Sequence, residues 1–202
     1  MRLKTNDLRM KRRLFVAMVG LFAALSFSSC GYNSLVNLEE NVKGKWAQVE
    51  NAYQRRADLI PNLVNTVKGA ANFEQETLTK VIEARAKASS VTVDPENLTP
   101  EAIQQFQQSQ DALSQSLGRL LVTVERYPEL KANQNFLELQ AQLEGTENRI
   151  STERRAFNEA TQEYNSSVRR FPNNLTAGIF GFKQKGYFTA EAGADQAPEV
   201  QF

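Results

Sequence analysis

Residues 35–67 read LVNLEENVKGKWAQVENAYQRRADLIPNLVNTV. Within this stretch Leu35, Leu38, Val42, Trp46, Val49, Tyr53, Arg56, Ile60, Leu63 and Val67 recur every three or four residues. That spacing keeps one side of an α-helix apolar for about nine turns, a seam too long to be accidental. Two features interrupt it. Arg56 sits where an apolar side chain belongs, and Pro61, which has no N–H, should remove one backbone hydrogen bond and kink the helix. Gly69 marks the expected end.

The rest of the chain repeats the pattern. A second helix is expected over 73–89, with Leu78, Val81, Ile82, Arg85 and Ala88 on one side. Residues 90–100 (SVTVDPENLTP) hold two prolines and read as a loop. Thr99-Pro100-Glu101 restarts a helix with a cap, a proline at the first position and an acid in the first turn. Its seam is Ile103, Phe106, Gln110, Leu113, Leu117, Leu120, Leu121 and Val124, with Pro128 as the stop. A last helix is expected over 133–171, with Phe136, Leu139, Leu143, Thr146, Ile150, Phe157, Tyr164, Val168 and Phe171 facing inward and Pro172 closing it. A long amphipathic rod must bury its stripe, and an antiparallel rod of similar length does so. The expected fold is all-α, an elongated antiparallel up-and-down four-helix bundle over residues 34–171.

Composition narrows the chemistry. The 202 residues include no His and one Cys. Imidazole-based triads, His-containing zinc or di-iron sites, His-ligated haem and thiolate clusters are therefore ruled out. Neither an Asp-rich calcium loop nor a Ser-Xaa-Xaa-Lys motif stands in for them. The expectation is a non-enzymatic protein with no metal and no cofactor. The formal charge of +1 hides an asymmetry: six bases against Asp7 occupy the first 13 residues, whereas from Cys30 onward 18 bases face 22 acids. An acidic body lacks the positive footprint that nucleic-acid binding requires.

The basic run precedes LFVAMVGLFAALSF (14–27) and then Ser28-Ser29-Cys30-Gly31. As a helix this apolar run reaches about 21 Å, against about 30 Å of bilayer hydrocarbon. Residues 1–29 therefore read as an export signal of lipoprotein type, with Cys30 the acylated residue of a lipobox. An uncleaved tilted anchor and ordinary signal cleavage are the other readings. Residues 30–33 form the junction between anchor and bundle.

Several runs carry a family resemblance: Tyr32-Asn33-Ser34-Leu35-Val36, Trp46 to Val64, Gly118-Arg119-Leu120-Leu121, Glu125 to Asn133, and Leu143 to Ile150. Together they resemble the LemA family of bacterial envelope proteins, over about residues 32–188. The resemblance implies an N-terminally anchored helical bundle outside the cytoplasmic membrane, with no established biochemical activity. Many members look anchored by a transmembrane helix, and the short apolar run with Cys30 departs from that pattern.

Two sets of residues are candidate sites. Arg56, Arg85 and Arg154 occupy seam positions, and a guanidinium in a bundle core needs carboxylates or a route to water. Glu144, Glu147 and Glu153 are the expected partners. The set is either an ion-pair layer that fixes helix register or an anion-binding slot, and a carboxylate-based catalytic bundle would use the same residues. The second set lies in the tail, residues 172–202, where Phe180, Phe182, Tyr187 and Phe188 alternate with glycines and the chain ends in Phe202. An irregular arm packed on the end of the bundle is expected, and an exposed version would dock a membrane or an envelope protein.

Overall fold

The computed structural model describes residues 2–69 and 73–189; the side chains of 2–14, 16–17 and 19–30 lie outside that description. Cys30's side chain and Phe202 therefore fall outside it, as do residues 190–202 of the tail. The described chain is all-α: α1 (Arg2–Lys68), α2 (Gln75–Ser90), α3 (Pro100–Val124), α4 (Pro128–Lys131), α5 (Gln134–Arg169) and α6 (Asn173–Phe180). Among the described residues no helix is long and apolar enough to cross a membrane.

The chain divides into two compact units, residues up to Asn41 with Glu163–Gln184, and Val42–Gln162 with the residues from Lys185 on. The second unit holds the larger core. Ile60, Leu63 and Val67 of α1, Leu78 and Val81 of α2, Leu113, Leu117 and Leu120 of α3, and Phe136 and Leu143 of α5 are buried in one cluster. Contacts give the helix directions. Trp46 meets Phe157 and Arg56 meets Glu147, so α5 runs against α1. Gln110 reaches Ala88 and Arg126 reaches Glu74, so α3 runs against α2. Further along, Trp46 anchors an aromatic cluster with Phe106, Phe157 and Phe188, ring centroids 5.2, 5.6 and 6.0 Å away.

Of the α1 seam only Leu38 is half-buried; the other positions, Arg56 included, are buried. Two seam assignments and the expected form of the tail need correction. Ile82 is 45% exposed, because Val81 and Leu78 already fill the α2 face. Phe171 is 75% exposed, because α5 ends at Arg169 and the chain turns there through a cis Phe171-Pro172 bond. Residues 173–180 form α6, not an irregular arm, closed by Gly181 at φ 79°, where its N–H and that of Phe182 both reach the Ala177 carbonyl. α3 ends at Val124, short of the expected stop at Pro128, which instead opens α4, as proline at a first helical position can. Thr99 caps α3 as expected, its hydroxyl accepting from Ala102 N–H at 3.2 Å.

α1 passes through Pro61 as one element. Pro61 cannot donate to the carbonyl four residues back, which belongs to Ala57. Arg85 of α2 fills that vacancy, its Nε donating to Ala57 O at 2.8 Å. The seam arginine on α2 thus repairs the backbone defect on α1. Removing Arg85 should cost about 1–2 kcal/mol by stranding a part-buried carbonyl. In a Pro61→Ala background that carbonyl regains an N–H partner, so Arg85→Met should cost clearly less there, measured as a double-mutant cycle of urea unfolding. Equal costs in both backgrounds would show that Arg85 has some other role.

Candidate functional site

The charged centre of the second unit is built on Arg56, which is 2% exposed. Its position is dictated by the seam: Tyr53 and Ile60 on either side face the core, so Arg56 between them must too. Nη1 donates to Glu147 Oε2 and to Ser114 Oγ, both at 2.8 Å. Nη2 donates to Gln110 Oε1 at 2.9 Å. The guanidinium carbon lies 5.0 Å from the Tyr53 ring centroid, placing the cation on an aromatic face. Only Nε has no hydrogen-bond partner. The Glu147 side chain is 51% exposed, so its carboxylate keeps part of its hydration while neutralising the buried cation. Burial pushes the Tyr53 hydroxyl up to about 12 against the pull of Arg154 and Arg56, so the ring stays neutral beside the cation at ordinary pH.

The six residues expected in one layer separate in space. Arg56 and Glu147 meet. Glu153 pairs with Arg149 at 2.7 Å one turn away on α5, and Glu144 accepts from Gln140 on an exposed face. Arg85 serves the Ala57 carbonyl. Arg154 stands 4.9 Å from the Phe188 ring and donates to Thr189 O at 2.9 Å. Ser114 and Gln110 complete the Arg56 shell; Gln110, a polar residue on the α3 seam, carried a signal, and Ser114 beside that seam carried none.

The tail residues also divide. Phe188 is 4% exposed within the Trp46 cluster, which removes it from any docking surface. Around it residues 185–189 belong to no helix, and side-chain amides hold the backbone of Phe188 and Thr189. Asn158 accepts from Phe188 N–H and donates to Phe188 O, both at 2.9 Å. Gln107 does the same for Thr189, each bond at 3.1 Å. Gly186 N–H donates to Leu98 O at 2.9 Å, and the approach is so close that a Cβ there would stand 2.7 Å from Pro100 Cα. Tyr187 is 43% exposed. In the first unit Phe180 is 58% exposed, and its ring and that of half-buried Phe182 both contact Tyr32.

Three surface clefts open on the second unit. A cleft of about 860 Å³ runs beside the docked tail, where Arg154 and Arg155 are balanced by Glu147 and Glu159. Clefts of about 560 and 120 Å³ are lined by neighbours of the buried cation, but Arg56 lines none of the three. Among the described residues no group of three or more His, Cys, Asp or Glu could hold a metal ion.

The model of the LemA family matches residues 45–202. Two magnetosome proteins are similar across 90% of the chain and 73% of their own length: MamQ 2 of Paramagnetospirillum magneticum, 24% identical, and MamQ of Magnetospirillum gryphiswaldense, 25% identical. Protein LemA of Metamycoplasma hominis is 24% identical over 81% of the chain and 70% of its own length.

Arg56→Met should lower unfolding free energy by about 3 kcal/mol, because Gln110 and Ser114 lose a buried partner that methionine cannot replace. Glu147→Gln should cost about 1 kcal/mol, since half of that side chain is already in water. Denaturant unfolding checks both; similar costs would mean the pair has been assigned the wrong asymmetry. Gly186→Ala should destabilise by about 1–3 kcal/mol through overpacking against the Pro100 backbone. It should also loosen Phe188 from Trp46, read as a red shift of tryptophan emission in the native state. An unshifted spectrum at unchanged stability would show that the tail does not depend on this close approach.

Proposed function

We propose that this chain, which belongs to the LemA family, is a membrane-tethered, non-enzymatic helical scaffold of the bacterial envelope. The observation that carries the scaffold reading is the closed shell of Arg56. Its Nη groups are taken by Glu147, Ser114 and Gln110 of the same chain, and no described cleft is lined by it. A guanidinium kept for a ligand anion would have free donors at the floor of a pocket; this one supports register instead. The anion-slot and carboxylate-catalysis readings lose their central residue on the same ground. The relatives' names designate a cellular structure and a family, and none designates a reaction.

The tether rests on the sequence. Six bases, a 14-residue apolar run and Cys30 after two serines suit export followed by acylation, and each acyl CH₂ adds about 0.8 kcal/mol of membrane affinity. The body would then present its helical surfaces to envelope proteins on the far side of the cytoplasmic membrane. Fractionation with an acyl-chain label tests the anchor. The wild-type chain should sediment with membranes and carry label, and Cys30→Ala should lose the label. Equal labelling of Cys30→Ala rejects lipidation, and recovery of the wild type from the soluble cytosolic fraction rejects the tether. Crosslinking in intact cells should trap envelope proteins on the bundle, and turnover of a cell-wall or lipid substrate by the purified chain would overturn the non-enzymatic reading.

A further inference from the structure

The first unit contains an apolar surface that its own core does not use. On α6, Thr176 and Ala177 are buried, whereas Leu175 and Ile179, one turn apart on the opposite side, are 59% and 78% exposed. Phe180 at the end of α6 is 58% exposed and Phe171, two residues before it, is 75% exposed. Four large apolar side chains displayed by ten consecutive residues form a concentration that a soluble surface rarely carries without a purpose. Along the sequence that surrounds α6 the charges have one sign, while Glu39, Glu40 and Glu163 lie elsewhere in the unit. From Asn165 to Gln184 the bases are Arg169, Arg170 and Lys183, all exposed, and there is no acid.

Placement within the unit selects the occupant. A Cβ at Gly31 would lie 3.1 Å from Asn173 Oδ1 and 3.5 Å from Thr176 Oγ1, so α6 packs directly on α1 at that point. The Tyr32 ring lies tilted against Phe180 and edge-on to Phe182, with centroids 4.8 and 5.7 Å apart. Gly31 and Tyr32 immediately follow Cys30 and the apolar run 14–27. The helix with the unpartnered apolar side is therefore fastened to the residues that leave the anchor.

We infer that α6 is an interfacial lipid-binding helix: Leu175, Ile179, Phe180 and Phe171 enter the headgroup–acyl boundary of the membrane that holds the anchor, and Arg169, Arg170 and Lys183 engage anionic headgroups. This rests on the tether proposed above and extends it. An apolar face rimmed by bases is the composition that binds a bilayer surface in its plane, by buried area plus attraction to anionic lipid. Tyr32 at the same level suits the aromatic preference for membrane interfaces. The contact also adds a second attachment beside the acyl chains proposed at Cys30.

The test uses the full chain reconstituted into vesicles of phosphatidylcholine and phosphatidylglycerol with brominated acyl chains, which quench tryptophan only at short range. The native Trp46 is buried in the second unit and gives the baseline. Ile179→Trp and Leu175→Trp report on α6, and Val122→Trp, on an exposed α3 position, is the control. In flotation-purified vesicles the two α6 reporters should be quenched about two-fold or more beyond the control, with the excess reduced in vesicles lacking phosphatidylglycerol. Flotation with α6 reporters quenched no more than Val122→Trp overturns this inference and leaves the tether standing. Reporters that are blue-shifted but unquenched also overturn it, since protein, from a second copy or from residues 190–202, then covers the helix. A chain that does not float overturns the tether and the lipid contact together.

Discussion

One buried cation sets the geometry of the larger core. Arg56 cannot leave the α1 seam, because the side chains before and after it on that face are fully committed to the core, and it cannot remain there without partners. Three acceptors from two other helices meet the demand: Gln110 and Ser114 from α3 and Glu147 from α5. Hydrogen bonds tolerate a few tenths of an ångström, whereas sliding one helix by a single turn moves its groups about 5.4 Å. A purely apolar seam would accept such a slide with modest loss, since leucine against leucine is nearly the same one turn along. The guanidinium makes one alignment of α1, α3 and α5 far better than its neighbours, which is the best-attested use of a polar residue in a helical seam.

The second seam arginine solves a different problem. Pro61 leaves the Ala57 carbonyl without its helical donor, and Arg85 supplies one from α2. Arg56 and the Ala57 carbonyl lie on consecutive residues, so the two repairs act on α1 within a single turn. One couples α1 to α3 and α5 and the other couples it to α2. Every long helix of the core is thereby tied to the same short segment by a directional bond, while the apolar contacts around it supply most of the burial.

The helices and their buried faces were legible because a 3.6-residue period is redundant: ten seam positions on α1 all give the same answer, so one half-buried Leu38 changes nothing. Arg56 was legible as an anomaly for the same reason. Its partner among three glutamates was not, because Glu144, Glu147 and Glu153 are spaced along α5 and only the helix register selects Glu147. Arg85 was visible as a seam residue and Pro61 as a defect, yet their pairing depends on how α2 returns along α1. The tail was the least legible. Gln107 and Asn158 resemble solvated carboxamides on helix faces, and nothing local marks them as clamps on the backbone of Thr189 and Phe188. Phe171 and Ile82 were misplaced because periodicity cannot tell where a helix ends or how wide a buried face is.

Two departures from the rule of apolar inside and polar outside are resolved in opposite ways. The buried guanidinium has both Nη groups satisfied within the chain, by Glu147, Ser114 and Gln110, and that closure is why it reads as architecture. The apolar side of α6 has no comparable provision: Thr176 and Ala177, the small residues, face inward, while Leu175 and Ile179, the large ones, face out. Burying the small side and displaying the large one is the reverse of what folding alone favours, since each large aliphatic side chain left in water forgoes about 1.5–3 kcal/mol. A sequence arranged this way is explained by a surrounding medium in which the exposed side is the stable one. A few ångströms away the same unit holds the residues that follow the apolar run 14–27. The medium that suits acyl chains at Cys30 is hydrocarbon, so a single environment accounts for both, and α6 needs no partner more specific than the surface beside which the chain is held.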